Sequence, residues 1–120
     1  MKVETIEKAI QDLVSVYGDD ANTVREGART LARVAEVEMP PGCQPTTTSM
    51  LLVFDPAAEK PDAYVLPGQL LSNGRPPRST SAQIIGGEAW MQFSFNIPWM
   101  EDAGVIRFIA AARQRFAQND

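Results

Sequence analysis

Residues 46–54 read Thr-Thr-Thr-Ser-Met-Leu-Leu-Val-Phe. β-Branched residues lead into an unbroken apolar run, the pattern of a buried β-strand. Hard stops bound it on both sides, Pro40-Pro41-Gly42 before it and Asp55-Pro56 after it. Proline fixes its own φ and lacks the amide donor, so neither stop continues a regular element. This strand is the piece around which the other elements are arranged.

Upstream, Val3, Ile6, Ile10, Leu13, Val14 and Tyr17 are spaced by three, four, three, one and three. That spacing predicts an amphipathic helix over residues 3–17. Gly18-Asp19-Asp20 ends it with turn chemistry. Its polar side carries Glu4, Lys8 and Asp12 at i,i+4 intervals. Such a helix either docks on a sheet or offers its face to a partner. Residues 21–39 read two ways: Val24, Ala28, Leu31 and Ala35 suit a helix, whereas Val34 to Met39 suits a strand.

Downstream, Lys60-Pro61-Asp62 closes a loop, and a short strand is expected around Tyr64-Val65-Leu66. From Pro67 to Ser81 the chain is rich in Gly, Pro, Ser and Asn and reads as a long surface loop. In a compact domain such loops are more often functional than idle. Asn73-Gly74 within it is a turn signal. Gly86-Gly87 follows Ile84-Ile85 with neither a Walker lysine nor a dinucleotide fingerprint, so it reads as a tight turn between strands.

Ala89, Met91, Phe93, Phe95 and Ile97 then alternate with Trp90, Gln92, Ser94 and Asn96. Period-two patterning predicts a strand with the first set on the main core and the second on the opposite face. Pro98 closes it. Val105, Ile109, Ala112 and Phe116 mark a last helix over 102–117, with Asp102 near its start and Arg113 and Arg115 in its last turns. The order predicts a single α+β domain over residues 1–120, with helices packed on a mainly antiparallel sheet.

Composition narrows the chemistry. The 120 residues are 44% hydrophobic and 22% charged, a globular balance. A net charge of -4 argues against general attraction to nucleic acid or anionic membrane. Histidine is absent and Cys43 is the single cysteine. Zinc sites need three or four protein ligands, so no metal or other cofactor is expected. One cysteine forms no internal disulfide, which fits a reducing compartment. The opening MKVETIEKAIQDL lacks a signal peptide's apolar core, and Met50 to Phe54 is too short to span a bilayer, so a cytoplasmic location is expected.

A serine–histidine hydrolase is excluded for want of an imidazole base. The acids form many possible pairs, but no spacing selects one as catalytic, so they read as solvated surface charge. Cys43 sits between Pro40-Pro41-Gly42 and Pro45 with no histidine to activate it, so it is at most a weak catalytic candidate. Trp90, beside Gln92, Ser94 and Asn96, has two readings. Either a loop or the last helix covers its face as a second small core, or the face is an aromatic patch for a partner.

Several pieces in order resemble a bacterial family within the ubiquitin-conjugating superfamily. They are Met39-Pro40-Pro41-Gly42, the strand TTTSMLLVF, Lys60-Pro61-Asp62-Ala63-Tyr64-Val65 and Asn73-Gly74-Arg75-Pro76-Pro77. Gly87-Glu88-Ala89-Trp90, Phe93-Ser94-Phe95-Asn96, Pro98-Trp99 and the terminal helix complete the series, from Met39 to Phe116, about two-thirds of the chain. The resemblance implies a ubiquitin-conjugating-enzyme-like fold: amino-terminal helix, antiparallel meander with a long loop, carboxy-terminal helix. It also implies a hairpin turning near Glu26-Gly27.

Active members of that superfamily carry an HPN-type turn, then a thioester cysteine, then a tryptophan. Here Ser72-Asn73-Gly74 falls near the turn, Trp99 matches the later tryptophan, and Trp90 stands where the nucleophile would be. The resemblance therefore implies a non-catalytic module, a pseudoenzyme of a bacterial ubiquitin-like modification or defence system. Its implied protein partner is a ubiquitin-like modifier, an activating enzyme or a peptidase. Asn73, Arg75, Trp90, Ser94, Asn96 and Trp99 are the candidate partner-binding residues. Two alternatives stand beside it: an active modifier transferase using Cys43, and a structural or regulatory domain outside modifier pathways.

Overall fold

A computed structural model describes residues 1–78, 80–93 and 97–117. The fold is α+β: an amino-terminal helix, a six-stranded antiparallel sheet and a carboxy-terminal helix. Helix α1 spans Val3–Tyr17, the span its spacing predicts, and a single 3-10 turn at Gly18–Asp20 leads into the sheet. Strands β1 (Ala21–Glu26) and β2 (Arg29–Glu38) form a hairpin about Gly27-Ala28. Of the two readings of 21–39, the helical one is therefore not realised. Strand β3 (Thr47–Phe54) is buried at every position but the first.

Strands β4 (Asp62–Val65), β5 (Thr80–Ile85) and β6 (Glu88–Phe93) complete the sheet, in the order β1-β2-β3-β4-β6-β5. The expected meander thus holds only through β4. The long connection after β4 carries the chain outward to the edge strand β5, and the β5–β6 hairpin returns β6 beside β4. The loop expected over 67–81 is correspondingly shorter, because its last residues belong to β5. Of the strand expected over 89–97, Ala89 to Phe93 lie in β6, Ser94 to Asn96 fall outside the described residues, and Ile97 is buried beyond the strand. Helix α2 spans Gly104–Gln114 and tightens to a 3-10 turn at Arg115–Ala117. Asp102 lies in the turn before it.

Both helices cover one face of the sheet. Ile6, Ala9 and Leu13 of α1 and Val105, Ile109 and Ala112 of α2 pack on Val34, Met50, Leu52, Phe54 and Val65. Phe116 closes this core edge-to-face on Phe93, with ring centroids 5.2 Å apart. The apolar stripe of α1 is only partly used: Val3 and Val14 stay about half exposed.

The opposite face has a core of its own, made by Leu31, Leu51, Val53, Tyr64, Ile85 and Trp90. Among the described residues no helix covers it; the sheet covers itself. In a flat sheet β2 and β6, with two strands between them, would lie about 14 Å apart. Instead, a Cβ on Gly86 would stand 3.8 Å from Leu31 Cδ1. Strand β6 pairs with β4 only at Tyr64↔Gln92 and Val65↔Met91, so its first half is free to curl. The tip of the β5–β6 hairpin therefore folds across the sheet. Among the described residues no helix is long and apolar enough to cross a membrane.

Candidate functional site

Cys43 is fixed by a turn in which its N–H donates to Pro40 O at 3.2 Å. Gly42 before it has φ +93°, and a Cβ there would stand 2.5 Å from Ser72 O. Only glycine lets this turn press so closely on the loop at Ser72. The thiol is fully buried, and its Sγ donates to Phe116 O at 3.6 Å. Burial pushes the Cys43 thiol up, away from the nucleophilic thiolate. It is a packed, protonated group inside the helix-side core.

Trp90 is 1% exposed. The hairpin that carries it turns through Gly86 and Gly87, with φ +60° and +82°, the left-handed pair of a type I′ turn. Arg33 on β2 places its guanidinium 5.6 Å from the Trp90 ring centroid. The same guanidinium grips Glu88 on β6 with Nε and Nη2, each 3.0 Å from a carboxylate oxygen. This hydrogen bonding holds the Glu88 carboxyl below the usual carboxylate range. The bidentate pair ties the hairpin to β2 over the tryptophan. Of the two readings of Trp90, the second core is the one the fold realises, and the cover is the curled sheet itself. Trp90 accordingly presents no surface to a partner.

The loop after β4 is held at several points. Leu71 is buried in the helix-side core. Ser72 N donates to Phe116 O at 2.8 Å, and Leu71 N donates to Arg75 O at 2.8 Å. Buried Gln69 donates through Nε2 to Pro45 O and Leu70 O, both at 3.1 Å. At the tip, Asn73 Oδ1 accepts from Arg75 N at 3.0 Å and Gly74 N donates to Leu71 O at 2.9 Å. Asn73 and Arg75 are thus both exposed on one tightly anchored turn.

Trp99 is half-buried, edge-to-face on Phe108 with centroids 5.6 Å apart. It borders a cleft of about 270 Å³ between α1 and the start of α2, with Glu4, Lys8, Asp12 and Glu101 around it. The anchored loop touches Phe116 beyond the other end of α2, whose 11 residues span about 16 Å. The fold therefore brings Asn73 and Arg75 together, but sets Trp99 at the far end of α2 and Trp90 in the opposite core. Ser94 and Asn96 fall outside the described residues.

In comparisons with protein-family models, curated proteins and solved structures, nothing matches this chain. One surface escaped sequence reasoning: a groove of about 410 Å³ between α1 and β1, walled by Val3, Ile6, Ile10, Val24 and Ala28. Val3, an apolar residue beyond what a docked helix needs, carried its signal in the sequence, whereas Val24 opposes it only because 21–26 form the edge strand β1. Among the described residues no group of three or more acids and thiols is arranged to hold a metal ion.

Proposed function

We propose that the chain is a non-catalytic, ubiquitin-conjugating-enzyme-like module that binds a protein partner in a ubiquitin-like modification or defence system. The observation that carries this reading is the burial of Cys43, the chain's single thiol, in a sequence without histidine. Thioester formation needs an accessible thiolate, and burial favours the neutral thiol. Trp90, at the position where the resemblance puts the nucleophile, is enclosed as well. The alternative transferase would have to open the Pro40–Gly42 turn against Ser72 before Cys43 met any substrate. In this reading the module works in the cytoplasm, and the anchored turn bearing Asn73 and Arg75 forms part of the contact. A preorganised loop loses little entropy on binding, and arginine is favoured at interface hot spots.

The test is calorimetric titration of the chain with a ubiquitin-like modifier, an activating enzyme and an associated peptidase of one such system. Binding to one of them, retained in Cys43→Ser and weakened in Arg75→Ala, is expected. No binding to any of the three overturns the reading, and binding untouched by Arg75→Ala removes the loop from it.

A further inference from the structure

The sheet ends on β5, and that edge is unguarded. Strands at open edges are usually blunted by charge, proline or a bulge. None occurs here: residues 80–87 contain no ionisable side chain and no proline, and β5 pairs with β6 over six consecutive positions without a register shift. Thr80 to Ile84 are all exposed, Ile84 at 73%. The opposite edge, β1, carries Arg25 and Glu26.

The turn sets which backbone groups are free. In a two-residue type I′ hairpin the closing pair, here Ile85↔Glu88, exchanges both hydrogen bonds. Alternation then directs Gln83 and Ser81 toward β6. The N–H and C=O groups of Thr80, Ala82 and Ile84 point outward, away from the sheet.

We propose that β5 is a self-association edge, at which two copies of this chain pair antiparallel about a two-fold axis and join their sheets into one. A two-fold perpendicular to the sheet sets Ala82 opposite Ala82 of the second copy, and Thr80 opposite its Ile84. Outward-bonding residues then meet outward-bonding residues, as an antiparallel ladder requires. Each Ile84 packs on a β-branched threonine, a favourable cross-strand pair, and does so twice by symmetry. Charge selects the second copy as occupant. A strand meeting its own copy brings like charges close wherever it is ionised, and the whole chain carries -4. The neutral run from Thr80 to Gly87 is complementary to itself. An extended peptide would instead draw specificity from side-chain pockets flanking the edge. The grooves described above lie at α1 and α2, away from β5.

Sedimentation equilibrium from micromolar to near-millimolar chain tests the proposal. The chain dimerises with rising concentration, and Ala82→Lys stays monomeric with an unchanged circular dichroism spectrum and melting temperature. The register is read by crosslinking. Cα atoms of a hydrogen-bonded antiparallel pair lie about 5.5 Å apart, within disulfide reach. Ala82→Cys therefore crosslinks to itself on mild oxidation, whereas Gln83→Cys and the parent chain with its buried Cys43 do not. A chain monomeric throughout, a dimer unaffected by Ala82→Lys, or equal crosslinking by Gln83→Cys overturns the proposal. Capture of a foreign peptide along β5 by a monomeric chain does so too.

Discussion

Trp90→Ala separates a structural tryptophan from a binding one. The side chain is 1% exposed, wedged between β3, β4 and the hairpin tip. A buried aromatic removes roughly 150–250 Å² from water, worth about 4–6 kcal/mol at ~25 cal/mol per Å². Compaction of the unfolded chain lowers that figure, and measured losses for truncating a core tryptophan run about 3–5 kcal/mol. The cation–π contact from Arg33 adds about 0.5–1 kcal/mol, since the guanidinium is partly solvated. A loss near 4 kcal/mol is expected, a large share of the roughly 5–15 kcal/mol typical of a domain. Urea unfolding followed by far-ultraviolet circular dichroism measures it, with Trp99 fluorescence as a second probe. Trp90→Phe keeps most of the volume and should lose about half as much. A loss below about 1 kcal/mol for Trp90→Ala would refute the second core, and with it the curled hairpin.

Further outcomes follow from the same geometry. Glu88→Gln weakens the tie between hairpin and β2 by about 0.5–1 kcal/mol, the worth of a half-exposed ion pair, as urea midpoints will show. Because Arg33 depresses the Glu88 carboxyl, its contribution is present above the ordinary carboxylate pKa of about 4.3 and fades as pH falls through the lower folded value. Glu88→Gln should therefore flatten part of the acid limb of stability against pH. Cys43, buried and raised in pKa, should react with a thiol reagent at pH 7 only as fast as the chain opens, and at the free-thiol rate in denaturant. A fast native reaction would contradict its burial. Gly42→Ala meets both a positive φ and a carbonyl at 2.5 Å, so it should cost about 2 kcal/mol or more. Gly27→Ala, with a positive φ but open space, should cost nearer 1 kcal/mol, both losses being read from urea unfolding.

The elements with strong periodicity were legible from residue types alone. Helix α1 follows its apolar spacing from Val3 to Tyr17, and β3 follows its apolar run between two prolines. Strand β5 was legible only at its end, through the Gly86-Gly87 turn, because Thr80 to Ile84 are exposed on both faces and no alternation of polar and apolar residues marks them. The same strand breaks the meander, and nothing in its sequence announces that it precedes β6 at the edge. The fate of Trp90 was undecided for a related reason. Period two told which face it occupies, but its cover depends on the curl of the hairpin, a long-range matter settled by Glu88 meeting Arg33 and Gly86 meeting Leu31 on β2. At the candidate site, the Asn73-Gly74 turn was legible from its chemistry. The separation of Trp99 from Asn73 was not, because it depends on which end of α2 each one meets.

A module that holds a partner without taking it as a thioester is distinguished from a transferase by one mass measurement. The chain is incubated with a ubiquitin-like modifier, its activating enzyme and ATP, and its intact mass is read without reductant. An unchanged mass is expected. A gain equal to the modifier, reversed by reductant and lost in Cys43→Ser, would contradict it.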